Sequence, residues 1–280
     1  MSTLATLSPV ALARQIARLT PLDTDMLGRV CHEVLTVPSR WVAGYGEYQS
    51  GGWWTLSLYN HNGDAADVTI RDGVAVETAL LRLMPATRAF LRDLGLTYMW
   101  VRIAKLCANS FLWEHRDYAE LSDRERSRLH IPLVTNSSAF VVTGGARVHL
   151  SPGHVWQLLP THPHGACNLL GPARLHLILD CYPNKAFEEL AGRPALAESD
   201  VTWLSGIPQD DIDASVEKAS RLARLGYPRT AERSLLRLFF NRALPDGCAY
   251  DLVVRMYESI GCADQAAEWT AKKEVMLGGR

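Results

Sequence analysis

Tyr98-Met99-Trp100-Val101-Arg102-Ile103-Ala104-Lys105-Leu106 opens, and Arg174-Leu175-His176-Leu177-Ile178-Leu179-Asp180 closes, the stretch whose reading decides the fold. Met99 to Leu106 reads as one strand and Ser110 to Asp117 as another. Leu129-His130-Ile131-Pro132-Leu133-Val134 is a third, and its Pro132 marks an edge or a bulge, because proline cannot donate to a sheet ladder. Phe140-Val141-Val142-Thr143 runs into Gly144-Gly145, a hairpin signal, and Arg147-Val148-His149-Leu150 returns. Val155 to Leu159 and Leu175 to Asp180 complete the set. Short strands at this density imply an antiparallel sandwich or jelly roll.

Inside this run stands His115-Arg116-Asp117, followed 47 residues after Asp117 by His164 and ten further on by Arg174. Side chains two apart on a strand share a face, so His115 and Asp117 can grip one ion together. His164, in Thr161-His162-Pro163-His164-Gly165, completes a set of two histidines and one carboxylate. That set leaves open positions on one side of a metal, the arrangement of non-haem Fe(II) oxygenases. His162 shares strand parity with His164 and competes with it; the ten-residue spacing to Arg174 favours His164. His-x-Asp alone occurs by chance in many proteins, and the added histidine and arginine, a carboxylate anchor, make the pattern specific. His176, in an apolar strand, reads as a satisfied core histidine, and Trp156 as core.

Working outward, residues 8–35 read as two short helices, started by Ser8-Pro9 and Thr20-Pro21. Trp53 to Tyr59 reads as a strand, with a turn at Asn60 to Asp64. Residues 76–94 carry helical spacing and end at Gly95. After Tyr182-Pro183 the chain turns helical, with segments from Pro208 to Gly226, Pro228 to Ala243, Pro245 to Ile260 and Ala263 to Leu277. The expected division is therefore residues 1–182, the β domain with N-terminal helices, and 183–280, a helical bundle that flanks the roll or forms a homodimer contact.

The 280 residues are 48% hydrophobic and 21% charged, enough to bury a proper core. A formal charge of -1 argues against nucleic acid as a partner. The basic cluster Arg124 to Arg128 contains Glu125 and reads as a solvated turn. The six cysteines lack a C-x-x-C pair and any regular spacing, which fits reduced thiols in the cytoplasm. The start Met1-Ser2-Thr3-Leu4 lacks a basic leader and Arg14 and Arg18 interrupt the apolar positions, so neither a signal peptide nor a membrane span is expected.

The run Arg102 to Asp117, the pair Arg128-x-His130, and His164 to Asp180 together resemble the aspartyl/asparaginyl β-hydroxylase family of Fe(II)/2-oxoglutarate-dependent dioxygenases. The resemblance is strongest over residues 98–182 and implies a mainly β fold, a double-stranded β-helix (cupin-like jelly roll) with a C-terminal helical bundle. It implies Fe(II), 2-oxoglutarate and O2 as reactants, with ascorbate as reductant in vitro. By position it makes His115, Asp117 and His164 the iron ligands and Arg174 the partner of the distal carboxylate of 2-oxoglutarate. A guanidinium matches a carboxylate bidentately, which agrees with that role. Arg128 and His130 would lie near 2-oxoglutarate, or Arg128 would hold the substrate's carboxylate. Arg102 would contact the substrate's carboxylate, and Trp53 would wall its ring. The implied substrate is a small free amino acid, first L-proline, hydroxylated at the cis-4 position, or a cyclic relative. The Asp117–Arg128 loop is one residue longer than in proline-hydroxylating members, and Trp113-Glu114 is bulkier and charged, so the substrate is where this chain departs.

Two rival functions stay open from sequence. One is hydroxylation of another amino acid, free or tethered to a carrier protein. The other, of a different class, is a metal-binding cupin-like protein without turnover, against which the intact Asp117 and Arg174 argue. A zinc hydrolase would want a general base beside the metal, and Glu114 should face the other side of the strand from His115.

Overall fold

The computed structural model of the protein describes residues 7–44, 46, 48–118, 125–192 and 194–278. Two antiparallel sheets form its centre. The larger holds β1 (Ile16–Pro21), β2 (Trp53–Asn60), β3 (Val76–Glu77), β4 (Thr97–Leu106), β6 (Ser127–Val134), β9 (His154–Leu158) and β11 (Arg174–Tyr182), in the order β1-β9-β6-β11-β4-β2-β3. The smaller holds β5 (Ser110–His115), β7 (Ala139–Thr143), β8 (Ala146–Val148), β10 (His164–Asn168) and β12 (Val201–Trp203), in the order β12-β8-β7-β10-β5. The fold is thus mainly β, a jelly roll with flanking helices. Gly144 and Gly145, at φ +56 and +76, make the β7–β8 turn, a left-handed pair that only glycine adopts at little cost.

Three apolar layers follow from the period-two alternation of the strands. Between the sheets lie Trp53, Ala104, Leu106, Leu112, Val141, Trp156, Leu158, Ala166 and Ile178. The outer face of the large sheet packs Val101, Ile103, Leu129, Ile131, Leu177 and Leu179 against α2 (Thr24–Thr36), α3 (Pro85–Asp93) and α4 (Lys185–Ala191). The outer face of the small sheet packs Phe111, Trp113, Phe140, Val142 and Cys167 against the C-terminal helices. Those are α5 (Gln209–Arg224), α6 (Pro228–Leu236), α7 (Leu238–Asn241), α8 (Cys248–Ser259) and α9 (Ala263–Leu277). Residues past 183 therefore share a core with the roll and add β12 to its second sheet.

Several local expectations need correction. Ser8 does cap α1 (Pro9–Ala13), its hydroxyl accepting from the Ala11 amide. Thr20-Pro21, however, ends strand β1, and α2 starts later behind Asp23, whose carboxylate accepts from the Met26 amide at 2.7 Å. Pairing of Ile16 and Arg18 with Leu158 and Trp156 adds an outer strand to the large sheet, a non-local gain that outweighs the local Thr-Pro signal. Residues 76–94 divide into β3, a short 3-10 turn at Leu81–Leu83 and α3, because Pro85 sets the helix start. Pro132 lies inside the sheet at a register shift opposite Leu175 and His176, so the bulge reading holds. Arg126 and Arg128 are buried, not a solvated turn, since each meets acidic partners within the fold. Arg124, most of the Asp117–Arg128 connection, and Met1 to Leu4 lie outside the described residues. No helix among the described residues is long and apolar enough to cross a membrane.

Candidate metal centre

β5 ends at His115, and Asp117 sits two residues beyond it in a bend rather than on the strand, its amide bonded to the Pro160 carbonyl at 2.9 Å. Alternation along a strand is therefore not what places the two side chains together. His164 is the first residue of β10 and stands directly across the ladder from His115. The Nε2 atoms of His115 and His164 lie 3.7 and 3.6 Å from Oδ2 of Asp117. Ligand atoms from the three residues all lie within 4.8 Å of one another, and all three residues are buried.

The hydrogen bonds of the two imidazoles determine their tautomer. His115 Nδ1 is 2.7 Å from the Trp113 carbonyl, and His164 Nδ1 is 2.9 Å from the His162 carbonyl. A carbonyl only accepts, so each Nδ1 carries a proton, and in the neutral ring Nε2 is left with the lone pair that faces Asp117. Burial, chiefly, lowers the His164 pKa to about 3, so this ring is neutral at ordinary pH. Burial alone would raise the Asp117 carboxyl, but the surrounding positive charge, the Arg128 guanidinium first, outweighs it and holds the group well below the usual carboxylate range. Two imidazoles and a carboxylate thus converge in a buried pocket, a donor set that fits a divalent cation.

One cavity gathers every residue to which the resemblance gave a site role: His115, Asp117 and His164, with Trp53, Arg102, Arg128, His130 and Arg174. Leu112, Val141, Leu158, Ala166 and Ile178 supply apolar wall. His162 lines a different cleft, with Arg116 and Thr161. Arg174 is 2% exposed, and among the described residues it has no ion pair and no hydrogen bond; the Trp53 ring lies 5.8 Å from its guanidinium carbon. Burial lowers its pKa from 12.5 to about 10. A buried, unpaired guanidinium is costly, and it suits a ligand that brings a carboxylate.

The other two arginines are held differently. Asp180 accepts from Nη1 of Arg102 and from Nε of Arg128 at 2.7 Å. Nη1 of Arg128 also bonds Asp117, and its Nη2 donates to the Tyr118 hydroxyl at 2.8 Å and to Asp180 at 3.4 Å. Four of the five N–H groups of Arg128 are thereby used inside the protein. Burial would raise Asp180, yet Arg102 and Arg128 keep its pKa lowered. Tyr118 reaches this network from a left-handed backbone, φ +67, a strained state for a non-glycine residue. Asp180 and Tyr118 received no role from sequence. Asp180 is in phase with Arg174, His176 and Ile178 on β11, so an acid on the inward face of an apolar strand was the available signal.

His176 is buried but only partly satisfied, in contrast to the expectation. Its Nδ1 lies 3.4 Å from Nδ1 of His130, and among the described residues neither ring's Nε2 has a partner. Burial, then the nearby arginines, push both imidazoles well below their ordinary pKa. Glu114 does face away from His115, toward α8, and burial pushes its carboxyl up to about 8.

Residues 30–183 match the family model of aspartyl/asparaginyl beta-hydroxylase. The chain is 30% identical over 176 residues to L-proline cis-3-hydroxylase 1 of a Streptomyces species, covering 60% of each chain. It is 29% identical over 155 residues to L-proline cis-4-hydroxylase of Rhizobium meliloti, covering 52% of this chain and 53% of that one. The chain thus spans little more than half the length of the curated relatives it matches. Among solved structures, a 2OG-Fe(II) oxygenase family oxidoreductase from Burkholderia pseudomallei aligns with a TM-score of 0.46 at 15% identity, over 65% of this chain and 95% of that one.

Proposed function

Because this chain belongs to the aspartyl/asparaginyl β-hydroxylase family, we propose that it is an Fe(II)/2-oxoglutarate-dependent dioxygenase that hydroxylates a small free amino acid, first L-proline or a cyclic relative. The observation that carries this reading is the pairing, in one closed pocket, of a converging two-histidine, one-carboxylate set with the unpaired guanidinium of Arg174. His115, Asp117 and His164 would hold Fe(II), and Arg174 would take the distal carboxylate of 2-oxoglutarate. Bound there with O2, the metal and 2-oxoglutarate would supply the oxidising power that places a hydroxyl on a C–H bond, as 2-oxoglutarate becomes succinate and CO2.

Charge supports the same assignment. Counted over arginines and carboxylates, Arg102, Arg128 and Arg174 exceed Asp117 and Asp180 by one positive charge in and around this pocket. A divalent cation raises the excess to three, and a 2-oxoglutarate dianion removes two. The charge left over favours a substrate that brings a carboxylate. Arg128 has only a single N–H to spare, which supports it as the residue that steadies Asp117, and Arg102, which lines the same cavity, would be the substrate's carboxylate contact. Trp53 and the apolar wall would exclude water around the carbon skeleton. His130 Nε2, buried and unpartnered, would meet the polar end of 2-oxoglutarate.

The test is succinate formation by the purified protein with Fe(II), ascorbate, O2 and 2-oxoglutarate, against the free amino acids and pipecolic acid. A substrate-dependent rise with a product heavier by one oxygen atom is expected from L-proline or a cyclic relative. Turnover only with a carrier-tethered amino acid would replace the free-substrate reading, and absence of metal binding would overturn the site itself.

A further inference from the structure

The strand that carries His115 is the outermost strand of the small sheet; among the described residues its outer edge is met by the short segment 48–50, through an isolated bridge between Gln49 and Leu112 and a hydrogen bond from the Trp113 amide to the Tyr48 carbonyl at 2.8 Å. Its pairing with β10 on the other side is irregular between His164 and Ala166, next to His115. A strand flanked by so short a segment on one edge and by an interrupted ladder on the other is prone to fray, and a metal ligand at its end gains from further support. The C-terminal helices supply it on both sides of His115. Tyr250, fully buried in α8, donates its hydroxyl proton to the Glu114 carbonyl at 2.7 Å. The Glu114 carboxyl oxygen Oε1 accepts from the Gly247 amide at 3.0 Å, where the chain enters α8. The Arg116 amide donates to the Met276 carbonyl, near the end of α9, at 2.8 Å. Gly247 has φ +74, and a Cβ there would meet Cε of Lys273 at 2.5 Å, so α8 and α9 meet closely at this point.

We propose that the C-terminal helices position the metal centre, with Tyr250 as a positioning residue that acts on His115 through the Glu114 peptide. The proposal rests on the reading of His115, Asp117 and His164 as metal ligands. The Trp113 carbonyl orients the His115 ring, and the Glu114 peptide joins those two residues, so a shift at Glu114 moves ligand and orienting group together. Groups that orient a metal's ligands govern affinity without touching the ion.

The experiment uses the full chain and Co(II) as the probe. Tyr250→Phe removes one hydroxyl and keeps the ring. Its Co(II) dissociation constant is expected to rise about tenfold, the low end for a group that orients ligands. Tyr257→Phe is the control, because that hydroxyl, in the same helix, bonds Glu232 and not the strand. It should lower the melting temperature of the metal-free protein comparably and leave Co(II) affinity unchanged. A second variant, Glu114→Ala, should weaken Co(II) binding, and Glu114→Gln, which keeps an acceptor for Gly247, should restore it. If Tyr250→Phe and Glu114→Ala both bind Co(II) as the parent does, while His164→Ala does not bind, the positioning role is wrong and the ligand reading stands. If His164→Ala binds as well as the parent, the ligand reading itself fails and the proposal with it.

Discussion

Replacing Arg174 with methionine should stabilise the ligand-free protein and at the same time cripple it toward 2-oxoglutarate. Burial lowers the guanidinium's pKa from 12.5 to about 10. At about 1.4 kcal/mol per pH unit, keeping that charge in the folded protein costs roughly 3 kcal/mol. The folded state holds this proton less tightly than the unfolded chain does. The cost is therefore fully present below about pH 10 and is relieved only as pH rises from there toward 12.5. Methionine keeps most of the buried stem and removes the charge, while the cation–π contact with Trp53, about 0.5–2 kcal/mol, is lost. The net gain is about 1–2 kcal/mol, and each kcal/mol raises Tm by roughly 2–4 °C in a chain of this size. Leaving the ligand's carboxylate buried without its partner costs about 2–5 kcal/mol, at least a 30-fold weaker binding. Thermal unfolding of metal-free protein and calorimetric titration of 2-oxoglutarate in the presence of Co(II) read the two effects separately. A variant less stable than the parent, with an unchanged 2-oxoglutarate requirement, would refute the reasoning and make Arg174 an ordinary structural residue.

Asp117→Ala and His164→Ala should each abolish Co(II) binding and hydroxylation, and product formation near the parent's rate would contradict the ligand assignment. Asp180→Asn strips Arg102 and Arg128 of a shared carboxylate and should cost about 3–5 kcal/mol in urea unfolding, with a raised KM for the amino acid. A loss below about 1 kcal/mol would show the network to be dispensable. His176 is held neutral, its folded pKa far below the unfolded value, so protonation favours the unfolded chain once pH falls below about 6.5. His176→Leu should therefore lose stability less steeply between pH 6.5 and 5 by about 1.4 kcal/mol per pH unit, and parallel curves in denaturant titrations would reject this.

Strand identity was legible from residues 98–181 because alternation and turn chemistry are local: Gly144-Gly145 marks its hairpin, and β6 and β11 carry charged or histidine side chains on one face and aliphatic ones on the other. The ligand set was legible for a different reason, since few chemistries need His-x-Asp, a later histidine and an arginine at that spacing. Sequence misread the geometry behind it. Asp117 was expected on the strand with His115, yet it reaches the site from a bend whose amide is tied to Pro160, far away in sequence. It also misread β1 as a helix start, because the pairing partner that makes it a strand lies more than a hundred residues further along.

What the sequence determined by itself is the chemistry on offer: which side chains can bind a cation, which can bind a carboxylate, and the periodicity that turns them to one face. Tertiary structure alone decided which charges remain unspent. Arg102, Arg128 and Arg174 are the same residue type on strands of the same sheet, but Asp180 and Asp117 neutralise the first two and, among the described residues, no acid pairs with the third. That difference depends on cross-strand register and burial, quantities that arise only when distant strands pair and water is excluded. For the same reason, the support of His115 by Tyr250, 135 residues away, could not be read along the chain.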